Sequence, residues 1–344
     1  MDGTNSTMKA VVCRSPGELV LEQRPLPDGP PPGWALVAVS HVGICGTDYH
    51  IFEGKHPFLA YPRIMGHEVS GTVLASGAGV TLAEGQAVIV NPYLSCGNCV
   101  ACRNGKPNCC VAIEVLGVHR DGAMCEQILV PDSNLYPADG LSLEDAATVE
   151  FLAIGAHAVR RSRAAADTRT LVIGAGPIGL GTAIFARIAG LDVTLLDTSR
   201  ERLDFAACEL GFATIGPEAP VADAVATVTG GDGFDTVFDA TGATASIQSA
   251  FAHVAHGGTL VLVSVVKDQI SFSDPEFHKR EMTLVGSRNA TREDFDLVAS
   301  SIRAGKVPLD RLITHRTTLD AAPKDLARWA HEKSGLIKAV IKIG

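Results

Sequence analysis

Two kinds of periodicity divide the chain. Residues 8 to 154 carry short stretches in which apolar and polar positions alternate, such as WALVAVSHV and EVSGTVLAS, broken by Gly and Pro. A period of two turns one side of each stretch to a core and the other to water, which predicts half-buried strands in a β-barrel-like domain. Beyond them the pattern changes. TLVIGAGPIGLGTAIFARIAGLDVTLLD (170–197) reads as an apolar run, a Gly-rich turn, a helical stretch and a second apolar run. Further β-rich runs follow at ATI (213–215), DTVFDATG (235–242), TLVLVSV (259–265) and MTLVGS (282–287). Apolar strands alternating with helices predict an α/β fold, here a doubly wound parallel sheet of six strands. That domain is expected over 155–290, and 8–154 with 291–344 form the other, discontinuous one. MDGTNST (1–7) precedes the first apolar stretch and reads as a polar tail.

The length of 344 residues suits two domains at about 150 residues each. Hydrophobic residues at 46%, charged residues at 19% and 35 glycines describe a globular, turn-rich chain. A net charge of −9 argues against nucleic acid, whose phosphates need a clustered basic surface. No apolar run approaches the roughly 18 residues of a membrane span, and no signal segment opens the chain, so no membrane partner and a cytoplasmic location are expected.

CGNCVACRNGKPNCC (96–110) holds five of the nine cysteines. In a reducing cytosol such clusters bind metal more often than they form disulfides. Cys96, Cys99, Cys102 and Cys110, spaced C-x2-C-x2-C-x7-C, can fold four thiolates round one zinc ion at about 2.3 Å each. All four positions are then sulfur, so the ion braces a loop and does no chemistry. Cys109 competes with Cys110 for the last place, and a redox-active thiol cluster is the alternative reading. Cys13, Cys125 and Cys208 sit among apolar neighbours and are expected to be buried and inert.

Other candidates lie apart in sequence. Cys45, Thr47, Asp48 and His50 fall in HVGICGTDYH, His67 and Glu68 in MGHE, and Glu150 opens the helical stretch TVEFLAIGAHA. Each has a plain structural reading: turn or cap chemistry for Thr47 and Asp48, a charge on the helix dipole for Glu150. In GAGPIG (174–179), Gly174 turns tightly after the strand, Gly176 admits a pyrophosphate beside Pro177 and Ile178, and Gly179 allows close helix packing. Asp197, 18 residues after Gly179, ends the second strand where a carboxylate accepts from ribose hydroxyls. NAD is therefore expected over NADP, although Arg200 and Arg202 stand nearby.

Taken in order, Cys45-Gly-x-Thr-Asp-x-His50, Gly66-His67-Glu68, the four-cysteine loop, Glu150 and the nucleotide turn resemble the zinc-containing medium-chain dehydrogenase/reductase family from Met8 to the C-terminus. The resemblance implies a GroES-like β-barrel catalytic domain beside a Rossmann domain, with the site in the cleft between them. It implies two zinc ions per chain. Cys45 and His67 would bind the catalytic one, with Glu68 or Glu150 as a further ligand. The alcohol dehydrogenase branch carries a cysteine near position 150; Glu150 here points to the polyol-dehydrogenase-like branch, including the L-galactonate 5-dehydrogenases. An open zinc site suits the chemistry, since a metal with a vacant position lowers the pKa of a hydroxyl by several units. By the same resemblance Thr47 would take the hydroxyl proton and pass it through the cofactor ribose to His50, and Asp48 would hydrogen-bond the second nitrogen of His67.

Arg288 in GSRNA and His119 in GVHRDG are candidate contacts to a small polyhydroxy substrate, a sugar acid or polyol. A loop histidine bonded to backbone explains His119 equally, and HKRE (278–281) reads as a solvated charged turn. A threonine dehydrogenase shares the metal pattern and is the alternative. A non-catalytic NAD-binding sensor is a rival of another class, but it has no physical reason to keep Cys45, Thr47, His50 and His67 together. A zinc-free quinone reductase would lack both metal patterns. A homodimer or homotetramer is expected by resemblance.

Overall fold

The computed structural model describes residues 7–56 and 59–344. Of the expected tail, residues 1–6 lie outside the described residues. Thr7 already opens a strand, Thr7–Ser15, that pairs antiparallel with Glu18–Pro25. The chain forms two compact units, one reaching to Glu150 and including 299–305 and 309–344, the other comprising Phe151–Val298 and 306–308.

The spine of the first unit is the strand Trp34–Ile44. Its alternation is realised, with Ala35, Val37 and Val39 buried. Register shifts between Leu36 and Val37 and between Val39 and His41 bend it. One edge pairs with Glu68–Ser76; the other meets Gln127–Pro131 along residues 34–38 and Lys338–Lys342 along residues 41–44, all antiparallel. A bend of this kind lets one long strand serve several partners. The C-terminal strand thus enters the sheet immediately before Cys45.

The second unit holds the expected parallel sheet. Its six strands run in the order Ala213–Ile215, Asp192–Leu196, Arg169–Ile173, Phe234–Asp239, Val254–Leu262, Thr283–Gly286, every pair parallel. This is the doubly wound order, in which nucleotides bind beyond the carboxyl end of the central strand. Gly174 has φ +99°, a conformation that favours glycine, and a Cβ on Gly179 would collide with the Gly174 carbonyl. The helix Pro177–Ile188 therefore packs directly on the strand that precedes it. Among the described residues no helix is long and apolar enough to cross a membrane.

A buried polar network ties the helix Val149–Ser162 to the helix Arg292–Arg303. Asp294 is fully buried; it accepts from Arg160 Nε at 2.8 Å and from the Thr291 backbone N–H at 2.8 Å, and its Oδ2 lies 2.8 Å from His157 Nδ1. Burial works to raise its pKa, but the bonds from His157, Arg160 and Thr291 prevail and hold it well below the usual carboxylate range. A folded-state pKa below the unfolded value gives stability that is complete above about pH 4 and is lost as pH falls. Asp294→Asn is expected to cost about 3 kcal/mol at pH 7 and to flatten the acid limb of a urea-unfolding series; an unchanged midpoint would contradict this role.

Candidate active site and metal centres

Three adjacent strands deliver the first group of side chains. Trp34–Ile44 ends one residue before Cys45, which caps the short helix Gly46–Phe52. Glu68 opens its strand opposite Gly43, and a Cβ at position 43 would strike the Glu68 carboxylate, so glycine there makes the room. Lys338 opens the third strand, one residue before Ala339, the partner of Ile44. Cys45, His67 and Glu68 bring ligand atoms within 4.8 Å of one another. Glu150 enters from the start of the helix Val149–Ser162 and accepts a hydrogen bond from the Tyr93 hydroxyl.

The electrostatics favour a cation. Burial lowers the pKa of His67, but hydrogen bonding to Cys45 and the charges of Asp48, Cys45 and Glu150 outweigh it and hold the imidazole well above its ordinary value. Burial, together with the Glu68 charge and against the pull of His67, pushes Glu150 up to about 7. Burial and the Glu150 carboxylate likewise hold the Tyr93 phenol well above its ordinary value. His67 Nδ1 and Glu68 Oε1 are buried with no hydrogen-bond partner among the described residues. Orphaned buried polar atoms are costly, and a thiol, an imidazole and a carboxylate that converge this way are a zinc donor set. The residues fit the metal.

Asp48 departs from its expected place. Its Oδ2 accepts from the Cys45 N–H at 2.9 Å and its Oδ1 from the Gly66 N–H at 3.2 Å. As the third residue of the short helix it reaches back to the cap, so it fixes the loops carrying Cys45 and His67 and acts on His67 through charge alone. Thr47 Oγ1 lies 3.8 Å from Cys45 Sγ, and His50, three residues on along the same helix face, is exposed.

The cysteine loop gathers as a second cluster. Cys96, Cys99, Cys102 and Cys110 place their sulfurs within 4.8 Å of one another, while Cys109 is exposed. Backbone N–H groups of Cys102 and Val111 bring the Cys99 thiol down to about 6, a thiolate at neutral pH, whereas burial and the neighbouring thiols push Cys102 up to about 11. Sulfurs in mutual contact that share protons in this way suit a thiolate-bound ion. Cys13 and Cys125 are buried as expected; Cys208 is exposed instead, because Ala206 takes the inward face of the helical segment Phe205–Glu209.

In the second unit, Gly176 caps the helix Pro177–Ile188 and Pro177 occupies its first turn, leaving backbone N–H groups at the open end. Asp197 accepts from the Ala175 N–H at 2.6 Å and the Ser199 N–H at 2.8 Å, and the remaining lone pairs of its carboxylate stay available for ribose hydroxyls. Arg202 Nη1 lies 3.9 Å from Asp197 Oδ2. Arg288 is exposed, two residues beyond the strand Thr283–Gly286 rather than at its end. His119 is also exposed, and its Nδ1 accepts from the Val115 N–H at 3.1 Å, which is the backbone-bonded loop arrangement.

Residues 31–140 match the alcohol dehydrogenase GroES-like domain and residues 177–303 the zinc-binding dehydrogenase family. The chain is 43% identical to L-galactonate-5-dehydrogenase of Escherichia coli (strain K12), over 98% of its own length and 99% of that protein's. The chain belongs to the zinc-binding dehydrogenases. It is 32% identical to sorbitol dehydrogenase 1 of Saccharomyces cerevisiae, over 92% of each chain. A solved alcohol dehydrogenase, RspB of Escherichia coli CFT073 with NADH, superposes at a TM-score of 0.92 with 28% identity, covering 98% of this chain and 99% of that one. The dehydrogenase is thus a zinc-dependent oxidoreductase of the polyol and sugar-acid branch, acting on a CH–OH donor with a nicotinamide cofactor. Two site residues of this dehydrogenase escaped the sequence reading: Tyr93, beside Glu150, and Lys338, beside Glu68.

Proposed function

We propose that the protein oxidises one secondary hydroxyl of an aldonic acid of the L-galactonate type to a ketone, with NAD as hydride acceptor and release of one proton. The observation that carries the substrate class is the near full-length identity of 43% to an L-galactonate-5-dehydrogenase. Cys45 and His67, with Glu68 or Glu150, hold the catalytic zinc, and Cys96, Cys99, Cys102 and Cys110 the structural one. When bound, the catalytic ion lowers the pKa of a substrate hydroxyl so that its carbon can give up hydride. Thr47, fixed against Cys45, accepts the hydroxyl proton, and the exposed His50 on the same helix face returns it to solvent. Asp48 holds the two metal-bearing loops in register through backbone amides. Gly174, Gly176, Pro177, Ile178 and Gly179 seat the pyrophosphate, Asp197 takes the adenosine ribose and disfavours a 2′-phosphate, and Arg202 flanks the turn. Arg288 receives the substrate carboxylate. The enzyme works in the cytoplasm as a homodimer or homotetramer.

NADH formation across L-galactonate, sorbitol, ethanol and L-threonine tests the reading. L-Galactonate is expected to give kcat/KM at least about tenfold above the others, the worth of one well-placed charged contact, and NAD to outperform NADP. A preference for threonine or ethanol would overturn it.

A further inference from the structure

A pocket of about 260 Å³ in the first unit, lined by His41, Glu144, Arg316, Thr318 and Lys342 among others, plays no part in the chemistry described so far. Strand register builds it. His41, Lys342 and Thr318 lie side by side across three neighbouring strands, and Arg316 is two residues before Thr318 on the edge strand Ile313–Thr318. Paired residues, and residues two apart on a strand, share a face, so all four side chains stand on one side of the sheet. Thr317 points to the other side, where its hydroxyl donates to Asp325 of the helix Ala322–His331 at 2.6 Å.

Glu144, in the short helix Leu143–Ala146, accepts from Arg316 Nε at 2.7 Å and from Nη2 at 3.0 Å. Arg316 Nη1 donates to the Ile313 carbonyl at 3.3 Å, so three of the five guanidinium N–H groups are used and two remain. The charges do not balance. Arg316 and Lys342 face the single carboxylate of Glu144, and Lys342 has no ion-pair partner among the described residues. His41 is half-buried beside them, with Nδ1 3.0 Å from Ser40 Oγ and Nε2 as its remaining polar atom. Burial lowers its pKa; Glu144 opposes this, and the positive charges of Lys342 and Arg316 add to it. Groups that repel one another across a cavity are relieved by an anion placed between them.

We propose that this pocket binds a phosphate group, held between Arg316 and Lys342 with Thr318 and His41 as further donors. A phosphate dianion meets both cations and has oxygens enough for donors on three strands, where a carboxylate has two. The volume falls below the roughly 300–1,000 Å³ of pockets for larger ligands, which suits free phosphate or a small phosphomonoester and excludes a dinucleotide. Four residues of strand, about 13 Å, separate Lys342 from Lys338, the partner of Glu68, so the site is distinct from the metal cluster.

Titration calorimetry on the zinc-loaded enzyme, with NADH saturating so that the nucleotide turn is filled, tests this with inorganic phosphate, glycerol 3-phosphate and acetate. At least one phosphate is expected to bind with a Kd of about 1 mM or tighter, and acetate at least about tenfold more weakly. Tighter binding of glycerol 3-phosphate identifies a phosphomonoester as the ligand; tighter or equal binding of inorganic phosphate identifies the free ion. Lys342→Met should weaken the preferred phosphate at least about tenfold, the worth of one charge-assisted hydrogen bond, and Lys342→Arg should stay near the wild type. Lys342 is exposed at a strand end, so both variants should fold and keep their NAD-dependent turnover. Lys324→Met, an exposed lysine on the helix over the opposite face, should change nothing. No binding of either phosphate at about 10 mM overturns the proposal. So does binding that Lys342→Met leaves intact, that Lys324→Met weakens equally, or that Lys342→Arg fails to retain.

Discussion

His67→Ala is expected to lower NAD-dependent turnover at least about a thousandfold while NAD affinity stays within about twofold of the wild type. The ring is buried, it stands within 4.8 Å of the Cys45 and Glu68 ligand atoms, and its Nδ1 has no other partner among the described residues. Among the described residues no second histidine joins this cluster. An ion in such a site supplies several kcal/mol of charge stabilisation, and each 1.36 kcal/mol is tenfold in rate. The nucleotide turn and Asp197 belong to the other compact unit, so cofactor affinity should survive. Steady-state NADH formation and a fluorescence titration with NADH check the two halves. Turnover within tenfold of the wild type would show that His67 is not a ligand of the working metal.

Cys110→Ala is expected to remove one zinc per chain and to open the loop 96–110 to proteases, whereas Cys109→Ala should do neither. The loop has little else to hold it. Cys96 and Cys109 are exposed, and so are Val100 at 57% and the flanking Val111 at 76%. Within the loop only Asn108 and Cys110 are buried, so the sulfurs and their ion replace the missing apolar core. Structural zinc in a small site contributes on the order of 10 kcal/mol to local folding. Trypsin should then cut after Arg103, which is exposed and is followed by asparagine, in Cys110→Ala and not in the wild type. Equal proteolysis of the two, with zinc content unchanged, would remove the loop's assignment as a metal site.

Much of the fold was legible because local rules and tertiary structure agree. Apolar continuity in TLVI and VTLL demanded a sheet covered on both faces, and GAGPIG at their junction has one workable conformation: Gly174 at positive φ and Gly179 without a side chain. The candidate ligands were legible through residue type and order. What stayed hidden depends on pairs far apart in sequence. Lys338, in IKAVIK, follows a strand pattern in which a lone lysine reads as a solvent-facing position, yet its partner Glu68 is 270 residues away. Tyr93 reads as an aromatic in a short strand, and only the fold places its hydroxyl on Glu150, 57 residues on. Asp48 shows the opposite failure. A role carried over by resemblance gave way to a local one, since an acidic third helix residue finds the cap N–H first.

Two separate zinc sites are expected in each chain, with the chemistry at the one formed by Cys45 and His67. Zinc content per chain, measured by elemental analysis on the wild type, His67→Ala, Cys110→Ala and the double variant, tests it most directly. The expected series is two, one, one and none, with NAD-dependent turnover lost in His67→Ala despite its remaining ion. A wild type with a single zinc that Cys110→Ala removes and His67→Ala leaves in place would contradict the account.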